Sequence, residues 1–244
     1  MTITGFIRRL HLWSGVVLGI QVFLWMLSGV VMSVYHIDLV RGARNTPAPV
    51  IQTLNVNDYV SPNEILAKTD DASEIILRHF MGRPVFETRS ASGAAIFDAL
   101  TGERLSPIGV DDIRIIAHNG FVGDGDLVRV QLVDDPGPEM RHIGPRPLWR
   151  ADFDDRLNTK IYLSPETGDI LRRRNDVWRF YDFFWMLHIM DYENRDDFNN
   201  PLLRIAAVAG LLFAASGIVM LFFRRSRSAL VHDIKKISGR GKKS

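Results

Sequence analysis

Residues 8–38 read RRLHLWSGVVLGIQVFLWMLSGVVMSVYHID, and the 28 positions between Arg9 and Asp38 hold no Lys, Arg, Asp or Glu. An α-helix rises about 1.5 Å per residue, so roughly 20 such residues cross a hydrocarbon core about 30 Å thick. A cleaved secretory signal has an apolar region about half that long, and no Ala-x-Ala site follows the stretch, so residues 10–37 are expected to be an uncleaved signal anchor. A second charge-free stretch, 19 residues between Arg204 and Arg224, predicts another span over 202–223. The mean hydropathy of +0.01 therefore averages two apolar blocks and a polar middle, and does not describe an ordinary soluble chain.

Charge separates along the same divisions. Arg8 and Arg9 precede the first block, and residues 224–244 carry eight basic residues against Asp233 alone, net +7. The rest of the chain holds 20 basic and 27 acidic residues, net −7. Short flanks rich in Lys and Arg stay inside while a long loop translocates regardless of charge, so both termini (1–9 and 224–244) are expected in the cytoplasm and the middle outside. Because the basic tail directly follows an apolar span, its expected partners are anionic lipid headgroups of the bilayer and not nucleic acid. The chain has no cysteine, which excludes iron–sulfur clusters, covalent c-type haem, thiolate zinc sites and disulfide exchange. Any metal chemistry must use His and carboxylates.

The middle reads as an ordered α+β domain. Ser61-Pro62-Asn63-Glu64 has the N-cap, N1 proline and acidic residue of a helix start. Strands are expected at Glu74–Phe80, Pro84–Arg89 and Ala94–Ala99, with Ser90-Ala91-Ser92-Gly93 as a hairpin turn. The order then recurs: a helix at Asp111–Ala117, then strands at Asp126–Asp134, Pro147–Phe153 and Lys160–Leu163. Wording recurs too. Arg83-Pro84-Val85-Phe86 matches Arg146-Pro147-Leu148-Trp149, and Thr101-Gly102-Glu103-Arg104-Leu105 matches Thr167-Gly168-Asp169-Ile170-Leu171. Two repeated units, 38–107 and 108–175, are expected, followed by an interfacial aromatic helix and loop over 176–201.

These motifs resemble the PepSY module, and its placement between apolar helices is similar to the PepSY-associated transmembrane family. Arg8-Arg9-Leu10-His11-Leu12-Trp13-Ser14-Gly15 fits the basic-Leu-His start of that family, and Trp185-Met186-Leu187-His188 fits its second His-bearing segment. The fold the resemblance implies is two transmembrane helices flanking a periplasmic domain of two helix-plus-antiparallel-sheet units, in a bacterial inner membrane. The function it implies is support of a periplasmic redox or iron/metal-uptake process with b-type haem, the chain acting as an electron-transfer subunit and not as a self-contained enzyme.

His11, His36 and His188 are the candidate haem ligands, since an ionisable or ligating side chain near a bilayer is costly and points to function. On an ideal helix, 25 steps of about 100° bring His36 back to within roughly 20° of His11, on a face with Gly15, Gly19, Met26, Gly29 and Ser33. Small residues there make room for a macrocycle, or equally for the second helix, whose stripe is Ala206, Gly210, Ala214 and Gly217. His36 and His188 are expected at one level near the outer surface. The inner partner of His11 would come from a dimer or a partner subunit, and the chain's expected partners are a second copy (homodimer) or a membrane or periplasmic protein. The alternative is a non-enzymatic module whose strand edges bind a peptide or partner protein. His79, His118 and His142 have no neighbours at metal-ligand spacing. No nucleophile elbow, phosphate loop or HExxH occurs. Asp134-Asp135 and Asp154-Asp155 read as solvated loop ends.

Overall fold

The computed structural model describes residues 3–48, 53, 58–141, 144 and 146–218. His142, the last residues of the expected second span (219–223) and the basic tail with His232 lie outside the described residues. The chain divides into two compact units, Tyr35–Asp182 on one hand and Met1–Val34 with Phe183–Ser244 on the other.

In the helical unit, α1 (Ile3–Val34) contains an apolar span over His11–Val34, and a later helix, α6 (Pro201–Ile218 as described), is a second. The 24 residues of the first span cover about 36 Å. Its pattern is the reverse of a helix folded in water. Large apolar side chains such as Leu12, Val17, Phe23 and Met26 are exposed, Met26 by 69%. The partly or fully buried positions His11, Ser14, Leu18, Gln21, Trp25 and Ser28 recur every three or four residues, and they include every His, Ser and Gln between 11 and 28. A bilayer selects that arrangement, because polar groups there must find partners inside the protein.

Two expectations about α1 are corrected. It ends at Val34 and not at residue 37. His36 has extended backbone torsions (φ −62, ψ 133) and is the N-cap of the short helix α2 (Ile37–Val40), where its Nδ1 accepts from the Asp38 N–H. This local bond competes with continuing the helix, so His36 does not share a helical face with His11. The glycine stripe is also not a close backbone contact throughout. A Cβ at Gly15 would lie 3.0 Å from the Phe213 ring, whereas Gly19, Gly29, Gly210 and Gly217 have open space around their Cα atoms.

The other unit holds the repeat. Helix α3 (Pro62–Leu66) is capped as expected by Ser61, although its hydroxyl accepts from Asn63 N–H, and Glu64 pairs forward with Lys68 at 3.0 Å. The antiparallel sheet β1 (Ala72–Phe80), β2 (Arg83–Ser90), β3 (Gly93–Asp98) follows in sequence order. Helix α4 (Val110–Asn119) opens the second copy, with β4 (Leu127–Val133), β5 (Leu148–Phe153), β6 (Lys160–Leu163) and β7 (Ile170–Arg174) as a four-stranded meander. Helix α5 (Asp176–Ile189) comes next. Only β7 lacks a counterpart among the expected strands; in the first copy the same position makes a single bridge, Phe97 to Arg104.

Alternation decides what each sheet face does. One face of the first sheet, with Phe86, Ala95 and Phe97, packs on Ile65 of α3. The opposite face contributes Phe80, Val85 and Ile96 to a core shared with Ile113 and Ala117 of α4 and with Ala151, Phe153, Ile161 and Leu163 of the second sheet. Beyond that apolar half the same face becomes ionic: Glu87, buried, is held by Arg78 Nε and Arg89 Nε at 2.6 and 2.8 Å, and Arg78 reaches on to Asp169 at 3.3 Å.

Candidate functional site

The most developed chemistry lies in the helical unit, where α1 meets the end of α5. Trp25, Trp185, His188, Ile189, Phe198 and Leu203 line a cavity of about 530 Å³, within the ~300–1,000 Å³ of small-molecule and cofactor sites. Five of the six lining side chains are aromatic or aliphatic. The sixth is the imidazole of His188.

Two bonds fasten His188 to α1. The Trp25 indole donates to the His188 carbonyl at 2.9 Å, and Ser28 Oγ lies 2.9 Å from His188 Nδ1. Ser28 is fully buried. Its hydroxyl has carbonyl acceptors at Leu24 (2.7 Å) and Trp25 (3.0 Å) in the preceding turn. Among the described residues Nε2 of His188 has no hydrogen-bond partner. Ser28 lies six residues, about 9 Å, short of the Val34 end of α1, so His188 meets the span well inside its length. A helix, α5, stands within the stretch expected to be an aromatic helix and loop, and its C-terminal end is bonded to α1.

The other two candidate histidines have different surroundings. His11 stacks on Phe213 of α6, ring centroids 4.7 Å apart and planes 19° apart. Along α1 it is about 25 Å from the level of Ser28. His36 belongs to the other unit, its side chain is 66% exposed, and its Nδ1 is 3.3 Å from Asp38 Oδ2. No group of three or more His, Asp or Glu placed to hold a metal ion occurs among the described residues.

Neither Trp25 nor Ser28 stands out in the sequence by residue type. Their signal is spacing: His11, Ser14, Gln21 and Ser28 fall three or seven residues apart, the period of one helix seam. Gln21 Nε2 on that seam is buried without a hydrogen-bond partner.

A second cavity, about 820 Å³ and polar, belongs to the repeat unit. It wraps the outer edge of β3, with Lys68 and Thr69 on one side, Ser164, Glu166, Thr167 and Asp169 on the other, and Arg104 at one end. Most of that edge is closed, since Ile96 and Asp98 bond to Ser106, Leu105 and Glu103. Backbone groups alternate in direction along a strand, and Ala94 is two residues from Ile96, so its N–H and C=O also point away from β2, into the slot.

The paired acids do local work. Asp155 is buried and accepts from the Thr159 N–H (2.6 Å) and hydroxyl (2.8 Å), correcting its reading as solvated. Glu139 is a clamp at the start of α5, bonded by Tyr162, by Arg179 Nε (2.8 Å) and by Lys160 (3.4 Å). Burial opposes its ionisation, but the bonds from Tyr162 and Arg179 outweigh it and hold the carboxyl below its ordinary range. Burial and then Glu139 push the Tyr162 phenol up, so it remains the donor. Every partner in this clamp is satisfied by another, which suits fastening better than proton transfer.

The sequence model for the PepSY-associated TM region matches residues 8–244. No curated protein matches the chain, and no solved structure does. With a match running from the first basic pair to the last residue, and two apolar helices flanking two antiparallel sheets, the chain belongs to the PepSY-associated TM family.

Proposed function

We propose that this membrane protein serves a periplasmic redox or iron/metal-uptake process in a bacterial inner membrane, with a b-type haem held by Nε2 of His188. The observation that carries the reading is the His188 pocket: one imidazole tied at Nδ1, bare at Nε2, in an otherwise aromatic and aliphatic lining. The residues fit the group on one side. Trp25, Trp185 and Phe198 offer flat apolar faces, and His188 offers the only ligating atom of the lining. Bound haem supplies a one-electron iron couple, tuned by its axial ligand and the polarity around it. A second ligand comes from His36, His11, a second copy or a partner subunit. With no substrate-oxidising constellation among the described residues, the role is electron transfer in support of a catalytic partner. The basic flanks support cytoplasmic termini and a periplasmic repeat unit.

A reduced-minus-oxidised spectrum of the full chain, purified in mild detergent from haem-replete cells, tests this. Soret and α bands are expected, lost in His188→Ala and kept in His79→Ala. Wild-type protein without either band would overturn the reading. The open rung at Ala94 favours a second reading, a module that binds an extended peptide or partner chain along β3 without a cofactor, and a band-free protein would leave that one standing.

A further inference from the structure

We infer that Ser28 is a positioning residue that fixes the tautomer of His188, making Nδ1 the protonated nitrogen and Nε2 the lone-pair atom presented for ligation. The inference shares His188 with the haem reading but concerns the apoprotein as well.

A serine hydroxyl has one hydrogen and two lone pairs. At Ser28 the hydrogen has two carbonyl acceptors within reach, Leu24 O at 2.7 Å and Trp25 O at 3.0 Å, on its own helix. Both are nearly unavoidable partners for a helical serine buried at this position. With the hydrogen directed there, Oγ can only accept from His188 Nδ1, 2.9 Å away, so Nδ1 carries the proton. A neutral imidazole has one N–H, and Nε2 is therefore bare. The other tautomer requires the hydroxyl to turn toward Nδ1 and give up both carbonyls of its own helix. The Trp25 indole, bonded to the His188 carbonyl, holds the backbone of the same residue, so ring and main chain are both referenced to one turn of α1. Histidines that bind metals through one nitrogen characteristically donate the other N–H to a fixed acceptor, and losing that acceptor weakens metal affinity about 10–100-fold. The arrangement also restricts what the cavity takes: a metal centre, or a ligand with a hydrogen-bond donor, on the Nε2 side.

The test begins with full-length, haem-free protein in detergent micelles, its histidines labelled with ¹⁵N and the His188 signal identified by its loss in His188→Ala. At a pH where the ring is neutral, wild-type His188 is expected with Nδ1 protonated and Nε2 of the unprotonated type. A protonated Nε2, or an even mixture of tautomers, would overturn the inference. Ser28→Ala is expected to release the tautomer toward a mixture and Ser28→Thr to restore it; an unchanged tautomer in Ser28→Ala overturns the assignment to Ser28. Hemin titration of the same three proteins then reads affinity, with about a 10-fold or larger loss expected in Ser28→Ala and recovery in Ser28→Thr. Wild-type protein that shows the Nδ1–H tautomer but binds no hemin would defeat the haem reading and leave the tautomer established, so the two failures are distinguishable.

Discussion

Asp191 gathers the backbone N–H groups of Glu193, Asn194, Asp196 and Asp197 onto its two oxygens at the turn between α5 and α6. Slight burial opposes its ionisation, but the backbone donors of Asp197, Asp196, Asn194 and Arg195 outweigh it and lower its pKa to about 2. A carboxyl lowered in the folded state stabilises fully above its unfolded value of about 3.9 and loses that contribution as pH falls toward the folded value. Hydrogen-exchange protection of the Glu193, Asn194, Asp196 and Asp197 amides is therefore expected to hold from about pH 7 to pH 5 and to decline between about pH 4 and pH 2, while Asp191→Asn shows no such decline. Protection in the wild type that persists through about pH 2 would contradict the account. None of this is legible in the sequence, because the donors converge only once Arg195 takes a positive φ of 56°. His188, by contrast, stands out by its type and its apolar setting, although Ser28, which orients it, does not.

The turns that close the two sheet repeats agree bond for bond. Gly102 and Gly168 have φ of +70° and +71°, and their N–H groups reach Asp98 O and Ser164 O at 2.9 and 3.0 Å. Glu103 and Asp169 each donate back to the hydroxyl of the preceding threonine, Thr101 and Thr167. The surroundings nevertheless differ. A Cβ on Gly102 would meet the flexible ends of Lys68 and Glu64 at 3.0 and 3.1 Å, while one on Gly168 would press on Phe80 at 2.8 Å and Ile116 at 2.9 Å in the core. Gly102→Ala is expected to cost about 1–2 kcal/mol for the left-handed backbone, and Gly168→Ala about 1–3 kcal/mol more for overpacking. Thermal unfolding of the two variants in the same detergent checks the order, and equal losses would refute it. At this scale the sequence is informative. Alternation and turn residues place β1 to β6 within a residue or two, because one face of each strand is buried and the turns need glycine. Strand β7 is obscured by Arg172-Arg173-Arg174, three consecutive charges with no visible alternation. In the structure the Arg174 guanidinium lies over the Trp178 ring, 4.3 Å from its centroid, and burial lowers its pKa to about 10.

Across the whole chain, charge and hydropathy are legible because they depend on composition over tens of residues, and they anticipate the two apolar helices and the α+β middle. The seam of α1 is not, since a face can be assigned only when its neighbours are known; on the expected face Gly19, Met26 and Ser33 are exposed, whereas His11, Gly15 and Gly29 are partly buried. The net +7 tail and the Arg8-Arg9 pair predict topology directly. Alkaline phosphatase fused after Ser244 is expected to be inactive, and the same enzyme inserted in the Ser90–Gly93 turn active. Activity of the first fusion would reverse the orientation. The polar seam of α1 also bears on biogenesis. The helix leaves the ribosome far ahead of α6, and at about 5–20 residues per second the intervening chain takes on the order of ten seconds to synthesise. For that interval Ser14, Gln21 and Ser28 face lipid or a surrogate in the insertion machinery, which makes the order of helix release, and not only the final packing, a determinant of whether this protein assembles.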